Sequence, residues 1–151
     1  MYKNILIPLD GSKRAEAILE PIRKLAQQQK SKETFLRVEG PALMLEYDEV
    51  IDEKAYQRNR QKQITQSTTY LANLKNEFSN QGIETESELA FGSVLETILN
   101  TAEGINCDLI AMATGDLHDL SPLSCHSVAV GLMQRVDRPL LLIRNMGALG
   151  E

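Results

Sequence analysis

Two apolar runs place the strongest limit on the fold of this chain. Asn4–Asp10 reads NILIPLD and Leu109–Ala113 reads LIAMA, so neither run has a charged residue before its end. Such runs are expected for strands that are covered on both faces, as in parallel sheets with helices on either side. Gly11 and Ser12 follow the first run and predict a tight turn and a helix cap.

Segments of helical periodicity alternate with these and further predicted strands. Pro21 lies inside the first predicted helix, where it predicts a kink. Residues from Pro41 to about Glu49 show no clear period and predict a loop or a ragged helix start. The predicted helices run from Ala15 to about Gln29, Val50 to about Asn80, Gly92-Ser93 to about Gly104, and Ser127 to Val136, and the other predicted strands are Thr34–Glu39, Ile83–Phe91 and Leu140–Ile143.

The alternating order of elements predicts a single-domain α/β fold, an open doubly wound parallel sheet of five strands with helices on both faces. The usual strand order for such a sheet is 3-2-1-4-5. Glu84, Glu86 and Glu88 alternate with apolar or small residues in the third strand, which indicates an edge strand with one solvated face. The expected domain covers residues 1–145, and residues 146–151 are expected to be a frayed tail.

The predicted strand order also locates a candidate site. It brings the ends of strands one and four together at the switch point, where doubly wound proteins open a ligand crevice. We therefore expect Asp10 and the loop Ala113–His126 to face each other.

Charge and composition argue against several classes of partner. The chain has 151 residues and a formal net charge of −5, with no basic cluster that could contact phosphates of a nucleic acid or an anionic membrane. No apolar run approaches the roughly 18 residues of a membrane span, so we expect a soluble, cytoplasmic protein. Cys107 and Cys125 fit neither a metal-ligand pattern nor a disulfide framework and are expected to be free thiols.

The chain carries six short stretches in order: NILIPLDGS, LRV of the second strand, Phe91-Gly92, DLIAMAT, LSPLSCHSVA and RPLLLIR. Together they resemble the universal stress protein family, over Lys3 to about Arg144. Family members that bind ATP share a loop of glycine, two residues, glycine, nine residues, then glycine before Ser or Thr. Glycines there let backbone N–H groups approach phosphates closely.

The phosphate loop of this chain departs from the family pattern. In an ungapped alignment, Ala113, Asp116 and His126 occupy the three glycine positions, and Ser127 alone keeps its residue type. Asp116 would repel a phosphate about 4 Å away by roughly 4 kcal/mol at an effective dielectric constant near 20, which is nearly three powers of ten in affinity. We therefore predict no tight ATP binding in the family manner.

The resemblance still implies a candidate nucleotide site. Asp10 and Val38 fall where the family contacts the adenine side of the ligand. Asp10 has a second interpretation, because with Ser12 it could simply cap the first helix. The candidate nucleotide-binding residues are Pro8, Leu9, Asp10, Val38, Ala113, Asp116, His126 and Ser127.

Other chemistry in the loop is less well supported. The residues Asp116, His118, Asp119, Cys125 and His126 match no known metal-ligand spacing, so we expect a solvated polar loop and no metal. Cys125 beside His126 lacks an evident third residue to orient a nucleophile. No catalytic residue is assigned.

The last strand predicts an oligomer. Leu140, Leu141, Leu142 and Ile143 form an unbroken apolar strand at an expected sheet edge, which invites pairing with another chain. The family resemblance implies a homodimer formed there by antiparallel pairing.

Two functions remain open from the sequence. The first is a non-enzymatic, homodimeric stress-response protein that acts through a protein partner or an unidentified ligand, without ATP as a cofactor. The alternative is a regulatory module in which Asp10, Val38 and Ser127 hold an adenine nucleotide, assisted by a divalent metal that bridges Asp116 to phosphate.

Overall fold

A computed structural model describes residues 2–40, 53–114 and 125–144 of the chain. They form one parallel five-stranded sheet in the order β3-β2-β1-β4-β5, which confirms the predicted fold and strand order. The strands are β1 (Asn4–Leu9), β2 (Lys32–Glu39), β3 (Thr85–Phe91), β4 (Leu109–Thr114) and β5 (Leu140–Arg144), and the helices are α1 (Leu19–Gln29), α2 (Glu53–Asn80), α3 (Val94–Gly104) and α4 (Cys125–Arg135).

The register of β1 defines where a site can form. β1 pairs with β2 from Asn4↔Lys32 to Leu9↔Arg37 and with β4 at Ile5↔Leu109 and Leu6↔Ile110. The carboxyl ends of these three strands therefore lie at one edge of the sheet, at the point where the chain order reverses. This arrangement confirms the predicted switch point.

Apolar side chains fill a layer on each face of the sheet. On the face covered by α1 and α2, Phe35 packs edge-to-face on Phe78, with ring centroids 5.0 Å apart. On the opposite face, α3 and α4 cover Leu6 and Ile110, and Leu132 of α4 packs in the same layer; all three are fully buried. Alternate residues of the central strands thus enter different layers, which explains their unbroken apolar runs.

Several predicted boundaries are wrong by a few residues. The first helical segment is a 3-10 helix, Ala15–Ile18, followed by α1, so Pro21 lies in the first turn of an α-helix. The missing N–H of proline costs little there, and the predicted kink stays a prediction. β2 begins two residues earlier than predicted, β3 begins two residues later, and α4 runs from Cys125 to Arg135 rather than from Ser127 to Val136.

Both predicted edge strands lie at the edges. Glu84, Glu86 and Glu88, the predicted solvated face near β3, are exposed, and Glu86 forms an ion pair with Lys75 of α2. Within the described residues, no helix combines the length and apolar character needed to cross a bilayer. The predicted loop from Pro41 to Glu49 and the predicted tail, residues 146–151, lie outside the described residues.

Glu33 is a charged residue type placed in the apolar core. Its side chain is 0% exposed in β2, and neither carboxyl oxygen has a hydrogen-bond partner. Burial raises the pKa of Glu33 to about 8, against a smaller lowering by Arg23 of α1. Glu33 is therefore mostly protonated at neutral pH, since an isolated buried carboxylate is costly.

We expect this proton to make the stability of the protein depend on pH. The pKa in the folded state lies near 8 and the ordinary value is 4.5, so the folded chain binds the extra proton. The resulting stability is complete below about pH 4.5 and is lost as the pH rises to about 8. Relative to Glu33→Gln, the free energy of unfolding of the wild type should fall by up to about 1.4 kcal/mol per pH unit across that window.

Urea unfolding of both proteins between pH 5 and about pH 9 measures this difference. Glu84→Gln is the matched control for the change in net charge, because Glu84 is exposed and its backbone carbonyl accepts a hydrogen bond from the N–H of Glu33. Parallel stability curves for the wild type and Glu33→Gln would contradict the assignment.

Candidate functional site

A cleft opens at the carboxyl ends of β1, β2 and β4. Its walls are mostly apolar, and Asp10 is the one ionisable side chain among the described residues that line it. The cleft has a volume of about 50 Å³, well below the ~300–1,000 Å³ of typical small-molecule pockets. A ligand of nucleotide size would therefore extend beyond the lining that is described.

The structure brings most of the predicted site residues together. Five of the eight line this cleft, and Ser127 lies in the first turn of α4 beside the lining residue Val128. Asp116 and the side chain of His126 lie outside the described residues. The five residues are Pro8, Leu9, Asp10, Val38 and Ala113.

Sequence reasoning missed the far wall of the cleft. Val94 and Ile98 of α3, with Leu36 and Met112 from the sheet, complete the apolar lining. Their positions follow from how α3 crosses the sheet, which the periodicity of the helix alone does not specify. Val38, an adenine-side candidate from the sequence, is half-buried and faces the same space.

The turn after β1 is built from its own side chains. Asp10 Oδ1 accepts a hydrogen bond from the N–H of Ser12 at 2.8 Å, and Ser12 Oγ accepts one from the N–H of Ala15 at 3.1 Å. Gly11 between them has a φ of +84°, a conformation that favours glycine. Asp10 and Ser12 thus perform the capping role that the sequence left open.

A polar cluster on the α2 face of β2 lies behind this turn. Glu39 is 6% exposed and accepts hydrogen bonds from Ser67 and Gln63 of α2. Arg37 Nε lies 3.1 Å from Glu39 Oε1. The sequence did carry a signal for the cluster, since Arg37 and Glu39 alternate with apolar residues in β2 and Ser67 fills a gap in the apolar stripe of α2.

Tyr70 of α2 extends the cluster toward the start of the first helical segment. Its hydroxyl donates a hydrogen bond to Glu16 Oε1 at 2.9 Å, and the Arg37 guanidinium lies 5.4 Å from its ring centroid. Burial raises the pKa of Tyr70, as do the hydrogen bond to Glu16 and the charge of Asp10, whereas Arg37 lowers it. The Tyr70 hydroxyl therefore stays a hydrogen-bond donor at neutral pH.

No group of three or more His, Cys, Asp or Glu side chains that could hold a metal ion occurs within residues 2–40, 53–114 and 125–144. The loop cluster considered from the sequence, Asp116 to His126, falls outside what the structure describes. The absence of a metal site there stays a prediction.

The five-stranded parallel sheet and its switch-point cleft define a doubly wound α/β protein of the kind that receives ligands at strand ends. The model of the universal stress protein family matches residues 1–144, and the chain belongs to that family. The family membership predicted from sequence is thereby confirmed.

A curated relative agrees with this assignment, and solved structures share the fold. A putative universal stress protein from Staphylococcus aureus is 28% identical over 95% of this chain and 85% of its own length. The fold is similar to that of the hypothetical protein MJ0577 (TM-score 0.78, 23% identity, 95% and 96% of the two chains). It is also similar to universal stress protein UspA from Lactobacillus plantarum (TM-score 0.77, 18% identity, 95% and 98%).

Some proteins of similar fold were solved with adenine nucleotides. A universal stress family protein from Arabidopsis thaliana has AMP bound (TM-score 0.68, 12% identity, 99% and 95% of the two chains). One from Archaeoglobus fulgidus was solved with dAMP (TM-score 0.64, 16% identity, 94% and 98%). A further universal stress protein was solved with cAMP (TM-score 0.66, 14% identity, 95% and 98%).

The capping bond of Ser12 gives a direct test of the turn. Ser12→Ala removes the acceptor of the Ala15 N–H, and we expect a loss of about 1 kcal/mol in the free energy of unfolding. Ser93→Ala is the matched control, because Ser93 precedes α3 but its side chain makes no capping bond there. Equal stability of Ser12→Ala and Ser93→Ala in urea unfolding would show that the turn does not depend on this cap.

Proposed function

We propose that this chain is a non-enzymatic, homodimeric regulatory protein of the universal stress type, whose cleft receives the adenine part of a ligand but not the triphosphate of ATP. The observation that carries the proposal is the composition of the cleft. Asp10 and Val38, at the positions that resemble the adenine side of the family site, line it together with apolar residues. A flat, weakly polar base suits such walls, with a small number of polar groups to orient it.

The phosphate side of the proposed site has the opposite character. The three glycine positions of the family pattern hold Ala113, Asp116 and His126. Ala113 is 1% exposed, so its Cβ is packed in the core where glycine would leave the backbone open. A carboxylate from Asp116 would repel each added phosphate charge. The proteins of similar fold solved with AMP, dAMP or cAMP hold a single phosphate, which is consistent with a ligand of this size.

The lining of the cleft also supports a role in binding rather than catalysis. A general acid or base normally needs a second group that orients it or restores its protonation state. Asp10, the one ionisable side chain among the described lining residues, already accepts the N–H of Ser12. Regulation would then occur through contacts with a protein partner, in response to the ligand.

Calorimetric titration with adenosine, AMP and ATP tests the ligand. Adenosine should bind at least as tightly as AMP, and ATP should bind about ten to a thousand times more weakly than AMP because of the phosphate repulsion. Repeating the ATP titration with Mg²⁺ or Mn²⁺ tests the metal-assisted alternative. Micromolar ATP binding would contradict the proposal, and absence of adenosine and AMP binding would leave a function through protein contacts alone.

Val38→Phe is a variant that fills the cleft with a larger side chain and should abolish adenosine binding. Met133→Phe adds a ring at an exposed position of α4 and is the matched control, with binding retained. Adenosine binding to Val38→Phe at the wild-type affinity would place the ligand elsewhere.

The proposed dimer rests on the edge strand β5. β5 pairs with β4 on one side, and the other side of the strand is the sheet edge. Its apolar residues Leu140–Ile143 are each only half-buried in the single chain. Pairing with a second copy would satisfy the backbone groups at that edge and cover this apolar surface.

A charge on β5 should therefore dissociate the dimer. Leu142→Lys is expected to give a monomer in light scattering at micromolar concentration, because the charge would be desolvated in the paired edge. Met133→Lys adds the same charge at an exposed site of α4 and should remain dimeric. A wild-type monomer under these conditions, or an unchanged dimer in Leu142→Lys, would rule out this interface.

A further inference from the structure

The Arg37 guanidinium packs directly against the turn that carries Asp10. A Cβ placed on Gly11 would lie 2.7 Å from Nη1, 3.0 Å from Cζ and 3.1 Å from Nη2 of Arg37. The three similar distances mean that the guanidinium presents its flat face to Gly11. A side chain larger than hydrogen at position 11 would displace it, in addition to the strain that a φ of +84° imposes on other residues.

Arg37 is itself held in this place from the α2 side. Its Nε pairs with Glu39 at 3.1 Å, and Glu39 is fixed by hydrogen bonds from Ser67 and Gln63. Its guanidinium also lies over the Tyr70 ring, with 5.4 Å to the centroid. Because Glu39 and Ser67 are buried, this anchor is expected to be more rigid than an exposed ion pair.

Several carboxylates lie around the turn beside Arg37. Glu39 contacts Arg37, while Glu16 contacts Tyr70. The charge of Asp10 and the charge of Arg37 act on Tyr70 with opposite effects on its pKa. Arg37 thus lies among carboxylates from the turn after β1, from β2 and from the first helical segment, whose mutual repulsion it offsets.

From this packing we infer that Arg37 is a positioning residue, which holds the Asp10–Ser12 turn in the shape required for the ligand although it is not part of the cleft lining. The inference rests on the proposed function for its ligand, but the geometry of the turn can be measured without one. Arg37 connects α2 to the mouth of the cleft through Gly11. The sequence shows no direct signal for this role, because Gly11 follows β1 whereas Arg37 lies near the end of β2, far away in the chain.

The N–H of Ser12 reports on the turn, since it donates to Asp10 Oδ1. Arg37→Met keeps most of the length of the side chain. In this variant we expect the exchange of the Ser12 amide with water, measured by NMR, to rise about fivefold to tenfold. That factor corresponds to the net free energy of one hydrogen bond. Adenosine affinity should fall by a similar factor. Arg60→Met removes another arginine stacked on an aromatic ring, that of Phe91, and should change neither quantity.

Gly11→Ala disrupts the same contact from the other partner. If Arg37 acts through Gly11, the effects of Gly11→Ala and Arg37→Met on Ser12 exchange should add up to less than their sum in the double variant, because only the backbone strain of Gly11→Ala is independent of Arg37. Additive effects would overturn the inference, as would wild-type Ser12 exchange in folded Arg37→Met. If Arg37→Met fails to fold, Arg37→Lys tests the role of Arg37 instead. Lysine keeps the charge opposite Glu39 but lacks the flat guanidinium that packs on Gly11, so Ser12 exchange should still rise.

The two proposals fail in different ways. If the wild type binds neither adenosine nor AMP, the proposed ligand is wrong, and the Ser12 exchange of the variants still decides the role of Arg37. If the wild type binds adenosine but Arg37→Met binds it equally well with unchanged exchange, the ligand stands and the role of Arg37 is wrong.

Discussion

Burial of β1 on both faces is the constraint on which the rest of this structure depends. Ile5, Leu6, Ile7 and Leu9 are each at most 4% exposed and Pro8 is buried, with alternate residues entering the two core layers. A strand that is apolar on both sides has to be central and needs helices on each side of the sheet. The chain therefore leaves β1 toward one face and reaches β4 from the other, and the gap between these paths at the strand ends is the cleft.

The same constraint explains how much could be predicted from the sequence. Apolar runs and helical periods fixed the fold class and strand order, and the glutamates of β3 marked an edge, because these features depend on local pattern and burial. The missed features depend on contacts between distant segments. Glu33 reads as one polar residue near the start of β2, and its 0% exposure follows from the packing of α1 and α2 above it. Arg37 approaches Gly11 only once β1 and β2 are paired in their register.

In the candidate site, too, some residues could be identified from the sequence and others depend on contacts between distant segments. Asp10, Val38 and Ala113 were identified by their resemblance to a family pattern, and the structure brings them to one cleft. The wall from α3 and the support from Arg37 could not be found in this way, because neither belongs to a sequence motif. The proposed site is asymmetric: the side proposed for the base is apolar and has the polar cluster around Arg37 and Glu39 behind it, whereas the side proposed for the phosphates lacks the glycines of the family pattern. An asymmetric site of this kind favours a ligand with a large flat base and little charge.

The most direct test of this account is an NMR titration of methyl-labelled protein with adenosine, which reports where the ligand lies rather than how tightly it binds. The account predicts that the methyl signals of Val38, Ala113 and Val128, all from the cleft lining, shift together and saturate with one adenosine per chain. It would be contradicted by signals that stay in place at saturating adenosine, or by shifts confined to side chains outside the cleft.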